Sequence, residues 1–409
     1  MSNWSAAAKY VDLVFGPWGA SYNAAVRAGG IMTAGYIDVN LCSGSFPNGS
    51  NPYAEPDCAK LSSDAFYSQS GNPQNALSAS YNGQIVDEFG NPASASLQAA
   101  ALAAVQAQLA GLGPLDLVQF DDAATPDEYY QPTKCWGDGT PTGSGYSCNV
   151  APGGTATAPY GSVYSRSQWK SGEAALTAMM PIPVVLNGVG ASAQGKETSA
   201  AVASVAASAG NAWGGECDTC FFGTSAGVAN QWAWSGPLLD NNLTSVMSVV
   251  AAGRNLIVVN EDVTDTGRRA RALADIMLIY DPNHVYVANA PCGGVSHIHA
   301  CAEQGLTFYA PRKPYPTSPS ALASNTGVYV REFGACYNRG SAIGPCAAVV
   351  NPDPTGSHAM PLLSTIYRHT LVLQGTGPCN CYGDSGAVAL NGPSAPAVLS
   401  AASGYVLLP

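Results

Sequence analysis

The stretch Leu115-Asp-Leu-Val-Gln-Phe-Asp-Asp122 decides the fold prediction, because it is an alternating strand that ends in two adjacent carboxylates. An amphipathic helical segment precedes it. Barrel enzymes present catalytic acids at the carboxyl ends of parallel strands. The same pattern recurs downstream, where residues 211–216 end at Glu216 and residues 255–261 end at Glu261. Three strand ends are therefore predicted to carry acids.

Apolar strand-like runs alternate with helical runs through most of the chain, an order typical of a parallel sheet with helices packed on it. The predicted strands are residues 30–40, 115–121, 182–187, 212–216, 256–261, 284–289 and 328–333. The predicted helices are residues 97–112, 199–208, 243–252 and 267–280. The segment between Cys42 and Ser96 is rich in Asn, Ser, Pro and Gly, so the second and third strands are not placed in it. The fold class that follows is α/β, a (β/α)8 TIM barrel.

The C-terminal part of the chain has a different pattern. A helical run at residues 360–373 is followed by short apolar pieces separated by Gly, Pro and Ser, and the last is Gly404-Tyr-Val-Leu-Leu408. Such pieces indicate a small antiparallel β domain. We therefore predict a TIM-barrel catalytic domain over residues 1–330, and barrel closure with a small C-terminal β domain over residues 331–409.

Composition limits the class of partner. The chain has 409 residues, of which 46% are hydrophobic and 11% are charged, and its net charge is −11. Because there is no basic footprint, neither nucleic acid nor an anionic membrane is an expected partner. We find no apolar run near the ~18 residues that span a bilayer, and Met1-Ser-Asn-Trp4 does not resemble the start of a secretion signal. A neutral or weakly charged partner is expected.

The twelve cysteines indicate an oxidising compartment, because most of them are neighbours in sequence that would close short loops. The expected disulfides are Cys42–Cys58, Cys135–Cys148, Cys292–Cys301 and Cys336–Cys346. Each contributes roughly 2 to 3 kcal/mol of stability in the chain-entropy model. The pairing of four cysteines stays open between internal bridges, cross-pairing and zinc; they are Cys217, Cys220, Cys379 and Cys381. The inference is a secreted, extracellular protein.

A series of short motifs resembles one group of families. The motifs are Val86-Asp-Glu-Phe-Gly-Asn-Pro92, Phe120-Asp-Asp122, Pro183-Val-Val-Leu-Asn-Gly188, Gly214-Gly-Glu216, Tyr280-Asp-Pro-Asn-His284 and Ala348-Val-Val-Asn-Pro352. In this order, over most of the chain, they resemble glycoside-hydrolase-like TIM-barrel families related to α-galactosidase-type barrels. The resemblance implies that Asp121 and Asp122 end strand four, that Glu216 ends strand six, and that a β domain closes the chain. The loops 42–58 and 135–148 depart from that pattern and would reshape a cleft.

The chemistry of glycosidic bond cleavage calls for two carboxyl groups. One protonates the leaving oxygen, and the other attacks the sugar or activates water. We choose Asp121 as the nucleophile or base, because it continues the alternation of Leu117 and Gln119 along one face of its strand. We choose Glu216 as the acid, because Gly-Gly before it leaves room for substrate and apolar neighbours are expected to raise its pKa.

Further polar residues at strand ends are candidates for binding substrate. Asp38 can hydrogen-bond sugar hydroxyls or pair with a buried Arg. Asp122 and Asn187 have the alternative of forming ordinary turns, and Glu261 has that of a helix-capping region. These four residues are predicted as substrate contacts.

Aromatic side chains near both acids support a sugar ligand. Tyr129 and Trp136 follow the Asp121 strand, Trp232 follows the Glu216 strand, and Trp213 lies within that strand. Apolar faces of sugars pack on aromatic rings. The alternative is packing within loops.

The prediction that follows is a secreted glycoside hydrolase acting on a neutral or weakly charged poly- or oligosaccharide, with no cofactor and no metal. His297 and His299 are interpreted as loop histidines, because no third ligand is apparent. A serine hydrolase is the lesser alternative, since Gly223-Thr-Ser-Ala-Gly227 has the Gly-x-Ser-x-Gly spacing but needs a following helix. The other class is a non-catalytic carbohydrate-binding or surface structural protein on the same scaffold.

Overall fold

The chain forms two compact units, Met1–Glu216 and Cys217–Pro409, in a computed structural model. The structure describes residues 4–8, 12–15, 19–39, 41–42, 56, 61–62, 78–81, 84–88, 91–121, 123, 166–190, 196–217, 220–225, 228–260, 266–289, 302–374 and 387–409. The fold is α/β: seven parallel strands occur among these residues, five before residue 218 and two after it, with helices between them. Each unit is described by itself.

The first unit alternates strands and helices. Its elements are α1 (Trp4–Ala7), β1 (Leu13–Phe15), α2 (Ala20–Ala28), β2 (Met32–Asp38), β3 (Leu41–Cys42), β4 (Ser78–Tyr81), β5 (Gln84–Glu88), α3 (Ala95–Leu112), β6 (Leu117–Asp121), α4 (Arg166–Met179), β7 (Val184–Asn187), α5 (Lys196–Ser208) and β8 (Ala212–Cys217). The predicted strands at β2, β6, β7 and β8 and the predicted helices at α3 and α5 are confirmed. The sequence analysis missed β1, α2 and α4.

The five parallel strands of this unit lie in the order β1, β2, β6, β7, β8. The central residues of β2, β6 and β7 are fully buried, among them Ile37, Phe120 and Leu186. A strand covered on both faces needs apolar side chains on both, which explains the continuous apolar runs in the sequence.

The segment between β2 and α3 contributes no strand to the parallel sheet within its described residues. β2 pairs directly with β6, with Asp38 level with Asp121. The strands β3, β5 and β4 form a separate antiparallel sheet instead. Asp121 and Glu216 therefore end the third and fifth parallel strands of the described chain, whereas the family resemblance implies the fourth and sixth.

The helix α3 begins after Ser94 and ends before Gly113, whose φ of +78° is a backbone conformation that glycine adopts readily. It is 18 residues long and, by length and composition only, apolar enough to cross a membrane. This corrects the statement that no apolar run approaches that length. Its Gln108 is buried and hydrogen-bonds the backbone of Tyr36 in β2, as expected of a helix that packs on a sheet.

The second unit contains the remaining elements. They are β9 (Phe222–Ser225), β10 (Val228–Ala233), α6 (Gly236–Ala251), β11 (Asn255–Asn260), α7 (Thr266–Ile279), β12 (Val285–Asn289), β13 (Leu306–Pro311), β14 (Tyr329–Asn338), β15 (Ser341–Val350), β16 (His358–Ala359), β17 (His369–Thr370), β18 (Val372–Gln374), β19 (Ala387–Ala389), β20 (Val398–Leu399) and β21 (Gly404–Leu408). β11 and β12 are parallel neighbours in register, as their alternation with α7 predicts.

An antiparallel sheet in the order β13, β14, β15, β21, β17 dominates the second unit. One face packs on α7, and the other encloses Val349, Tyr367 and Leu407. The helix expected at residues 360–373 is wrong, because that stretch holds no helix and contains the short strand β17 and the start of β18. Leu362 and Ile366 within it are 96% and 80% exposed. The sheet begins at Leu306, ahead of residue 330; the division into domains at that residue stays a prediction.

Two disulfides are described. Cys336–Cys346 joins β14 to β15 and confirms one expected pair. Cys217–Cys220 is an internal bridge, so these two cysteines do not bind zinc together. The expected bridges Cys42–Cys58, Cys135–Cys148 and Cys292–Cys301 involve side chains outside the described residues, as do Cys379 and Cys381.

Candidate active site

A row of polar side chains lies at the carboxyl ends of four neighbouring strands of the first unit. Asp38 on β2 is level with Asp121 on β6, and Asn187 on β7 is level with Glu216 on β8. Phe120 is level with Leu186, so Asp121 and Asn187 are the next pair along β6 and β7. Residues that are level in neighbouring parallel strands face the same side of the sheet. The row therefore brings three carboxyl groups and one amide to one edge.

A β-bulge decides that Glu216 belongs to this row. Val184 is level with Ala212 but Val185 is level with Gly214, so Trp213 is the extra residue on β8. Without the bulge Gly215 would be level with Asn187, and the side chain of Glu216 would fall out of the row, since a shift of one residue exchanges the two faces.

Both oxygens of the Asp121 carboxyl group accept hydrogen bonds from neutral donors. The hydroxyl of Tyr36 donates to Oδ2, and Nδ2 of Asn187 donates to Oδ1 at 2.5 Å. Acceptance at both oxygens suits an ionised carboxylate, which has no donor of its own. The side chain is half-buried, so it is held in place and still reachable.

Glu216 is the more deeply buried of the two acids, at 7% exposed. Nε2 of Gln119 donates to its Oε2. Gln119 lies on β6 and Glu216 on β8, and these two strands are two strand spacings apart, about 9.6 Å. The hydrogen bond therefore draws the Glu216 carboxyl group across β7 toward the strand that carries Asp121.

The backbone of Tyr36 is fixed from the side of α3. Within the described residues, β1 pairs with β2 as far as Ala34. Gln108 accepts from the Tyr36 N–H at 3.1 Å and donates to its carbonyl oxygen. A Cβ on Gly35 would collide with Gln108 and Leu115, so glycine at that position allows the contact.

The opposite end of β6 carries an acid with structural partners. Asp116 Oδ1 pairs with Arg27 at 2.9 Å, and Oδ2 accepts from the Thr33 N–H at 2.9 Å. Acids at the amino ends of barrel strands serve stability, whereas those at the carboxyl ends serve function. Asp116, just before β6, is therefore a structural acid with which Asp121, at the other end of the strand, can be compared.

The structure brings together four of the predicted site residues: Asp38, Asp121, Asn187 and Glu216. Trp213 is partly buried and lies near the start of β8, away from the row. Trp232 lies on β10, where its backbone pairs with Gly223. Asp122, Glu261, Tyr129 and Trp136 lie outside the described residues.

Gly215 lies against Val189 on the face opposite the row, where an added Cβ would collide with that side chain. That the two glycines before Glu216 leave room for substrate stays a prediction. The serine-hydrolase alternative needs a helix after Ser225, but β9 and β10 form an antiparallel pair around that residue.

Tyr36 and Gln119 are functional candidates that the sequence analysis missed. They are level with each other on β2 and β6, two residues before Asp38 and Asp121 respectively. A polar residue two positions before a strand-terminal acid, on the same face, is the signal that could have found them. Gln119 stands within an otherwise fully apolar part of its strand.

The site has the groups for proton transfer and for attack on a polarised carbon. Among the described residues no group of three or more His, Cys, Asp and Glu side chains has the arrangement of a metal site. The row offers the chemistry of paired carboxyl groups.

Comparison with known proteins gives a fold likeness only. No family model and no curated protein matches the chain. The glycoside hydrolase domain of PelA from Pseudomonas aeruginosa is 13% identical with a TM-score of 0.40, over 70% of this chain and 90% of that one. The catalytic domain of a beta-amylase from Paenibacillus polymyxa is 12% identical with a TM-score of 0.39, over 70% and 87%.

A GH36 alpha-galactosidase from Geobacillus stearothermophilus is 11% identical with a TM-score of 0.34, over 95% of this chain and 46% of that one. These neighbours are glycoside hydrolases, the class that the sequence motifs resemble. Because the TM-scores are below 0.5, the likeness carries no argument about activity. The function is argued below from the site alone.

Proposed function

We propose that the chain is a glycoside hydrolase that cleaves a neutral or weakly charged poly- or oligosaccharide by a two-carboxylate mechanism. The observation that carries the proposal is the row at the strand ends. Within it, Tyr36 hydrogen-bonds Asp121 and Gln119 hydrogen-bonds Glu216, and both of these neutral side chains lie two residues before the row on their own strands. A pair of oriented carboxyl groups is what glycosidic bond cleavage needs.

Asp121 acts as the nucleophile or base. Its two oxygens accept hydrogen bonds from Tyr36 and Asn187, which fix the direction of the carboxyl group. As positive charge develops at the anomeric carbon in the transition state, a carboxylate held in this way either attacks that carbon or removes a proton from the attacking water.

Glu216 acts as the acid. Its burial at 7% exposure keeps water away from the carboxyl group, and the Gln119 amide fixes Oε2 as an acceptor. The proton is then on Oε1, from which it passes to the glycosidic oxygen as the C–O bond breaks.

The remaining predicted residues complete the proposal. Asp38 and Asn187 contact sugar hydroxyls beside the two acids, because they lie in the same row. Further contacts come from Asp122, Glu261, Tyr129, Trp136 and Trp232. In this proposal the parallel strands belong to a (β/α)8 barrel within residues 1–330, residues 331–409 add the β domain, and the protein is secreted.

A polysaccharide panel tests the proposal. We expect the wild-type protein to release reducing ends from at least one substrate, and Asp121→Asn and Glu216→Gln each to lower turnover by several orders of magnitude with the fold intact. Asp116→Asn is the matched control: it removes a carboxylate from the same strand and should lower thermal stability while leaving turnover per folded molecule near wild type.

The same panel separates the alternative function. A wild-type protein that binds a polysaccharide without cleaving any member of the panel would contradict hydrolysis and leave the carbohydrate-binding protein as the better account. Full activity in either active-site variant would remove that residue from the mechanism.

A further inference from the structure

A pocket lies in the second unit beside one edge of the antiparallel sheet. Pro311, the last residue of β13, pairs with Phe333, whereas β14 begins four residues earlier, at Tyr329, so residues 329–332 lie beyond the end of β13. An isolated bridge between Ala323 and Tyr329 covers part of this edge. The chain between the two strands passes over that edge and leaves a cavity of about 630 Å³. Small-molecule sites have volumes of about 300–1,000 Å³.

Prolines give the wall of the pocket its shape. Pro311, Pro314, Pro316 and Pro319 fall within nine residues and cannot donate to a ladder of hydrogen bonds. Two backbone hydrogen bonds hold this wall to β14 at 2.9 Å, from the N–H of Arg312 to Glu332 and from the N–H of Val330 to Leu322. The wall is thus fixed at both ends before any ligand arrives.

Positive charge predominates in the pocket, although the whole chain carries a net charge of −11. Arg312, Lys313 and Arg331 line it, and Glu332 is the single acid among its described lining residues. Oε1 of Glu332 already accepts from the Ser364 N–H at 3.0 Å and from the Ser364 hydroxyl at 2.7 Å. Arg312 and Lys313 are exposed at the rim, so their charges are available to a ligand.

Arg331 lies at the back of this pocket and is 6% exposed. Its guanidinium group stacks on Tyr315 at 5.1 Å, and Nη1 donates to the Leu278 carbonyl oxygen at 3.0 Å. Nε has no hydrogen-bond partner among the described residues. Burial lowers the pKa of Arg331 to about 10, with Tyr315 and Asp281 acting in the opposite direction, so the side chain is a cation at neutral pH. A buried, charged donor without a partner is costly unless a ligand supplies an acceptor.

The geometry points to a binding site for a carboxylate-bearing saccharide in this pocket, separate from the proposed catalytic row. The carboxylate of a sugar acid is directed to the cations Arg312, Lys313 and Arg331. Ser324 and Asn325 offer hydroxyl and amide groups to ring hydroxyls, and the prolines with Leu362 offer an apolar surface to the ring face. The side chain of Leu362 is 96% exposed, so it is free to contact a ligand at the rim.

Calorimetric titration with a trigalacturonate tests the site. The comparison ligands are a neutral glucose trisaccharide and sodium sulfate, which separate a sugar acid from a neutral sugar and from a free anion. We expect saturable binding of the trigalacturonate that is at least about tenfold tighter than either comparison ligand and that weakens with added salt.

The variants assign the binding to this pocket. Arg312→Ala with Lys313→Ala should weaken the trigalacturonate affinity about tenfold or more, and both residues are exposed, so the fold is retained. Arg339→Ala is the matched control: it is exposed and basic and follows the far end of β14. Binding should be unchanged in this control.

Each other outcome overturns the inference. Absence of trigalacturonate binding would do so, as would equal affinity for the neutral trisaccharide or for sulfate, and so would an equal loss in Arg339→Ala. The readout is binding, so the result does not depend on whether Asp121 and Glu216 catalyse hydrolysis.

Discussion

Glu173 makes the stability of the first unit depend on pH. It lies on α4 and is 2% exposed. Neither its Oε1 nor the buried hydroxyl of Thr177, one turn later, has a hydrogen-bond partner in the part of the chain that the structure describes. Burial raises the pKa of Glu173 from 4.5 to about 8. The folded state therefore keeps a proton that the unfolded state releases, and between those two values the free energy of unfolding falls as pH rises.

The magnitude follows from the shift. Each pKa unit corresponds to about 1.4 kcal/mol. Between pH 4.5 and pH 7 the loss is roughly 3 kcal/mol, and it levels off near 5 kcal/mol above pH 8. Glu173→Gln keeps the shape of the neutral acid and cannot ionise. We expect it to match the wild type near pH 4.5 and to be more stable by roughly 3 kcal/mol at pH 7.

Urea unfolding followed by circular dichroism at pH 4.5, 7 and 8 measures this difference. Glu197→Gln, at the start of α5, makes the same change in charge and should keep the pH dependence of the wild type. The reasoning is refuted if Glu173→Gln loses stability between pH 4.5 and 8 as steeply as the wild type does.

Three further predictions concern the site, a disulfide and a histidine. Tyr36→Phe removes a donor to the proposed nucleophile, so kcat/KM should fall roughly 10- to 100-fold with thermal stability near wild type, as steady-state kinetics would show. Replacing Cys217 and Cys220 together by Ser should lower the free energy of unfolding by roughly 2 kcal/mol in urea titrations, and an unchanged value would contradict a stabilising bridge. Asp353 and the Thr326 carbonyl raise the pKa of His358, so its NMR titration should have a midpoint above 6.5 that moves back toward 6.5 in Asp353→Asn; an unmoved midpoint would exclude the contact.

The parallel strands were predictable because they are buried on both faces and end abruptly. Strands such as β6 and β7 appear in the sequence as short apolar runs bounded by polar residues. This pattern is typical of strands that are buried on both faces. The same contrast draws attention to Asp121 and Glu216, since each acid directly follows a buried apolar or glycine residue. Asp121 and Glu216 could therefore be found from the residues next to them in the sequence.

The partners of the two acids were not predictable, because they depend on which strands are neighbours. Tyr36 reaches Asp121 only because β2 pairs directly with β6, and the sequence analysis left room for other strands between them. Glu216 is level with Asn187 only because of the bulge at Trp213. A bulge depends on the register of two strands, which no local pattern in β8 specifies.

Two errors in the helix predictions share one physical cause. α4 was missed because its buried face includes Glu173 and Thr177, which are polar, so the helical spacing of Trp169 and Leu176 is masked in the sequence. The helix expected at residues 360–373 had apolar residues at helical spacing, but two of them are exposed. Periodicity predicts a helix only where the apolar face is also the buried face.

The leaving-group dependence of the two active-site variants tests the central claim most directly. A good leaving group needs no protonation, so Glu216→Gln should retain a much larger fraction of wild-type kcat on an aryl glycoside than on the polysaccharide. Asp121→Asn should be inactive on both, because the attack on the sugar does not depend on the leaving group. Equal loss by Glu216→Gln on both substrates, or recovery of Asp121→Asn on the aryl glycoside, would contradict the assignment of acid and nucleophile.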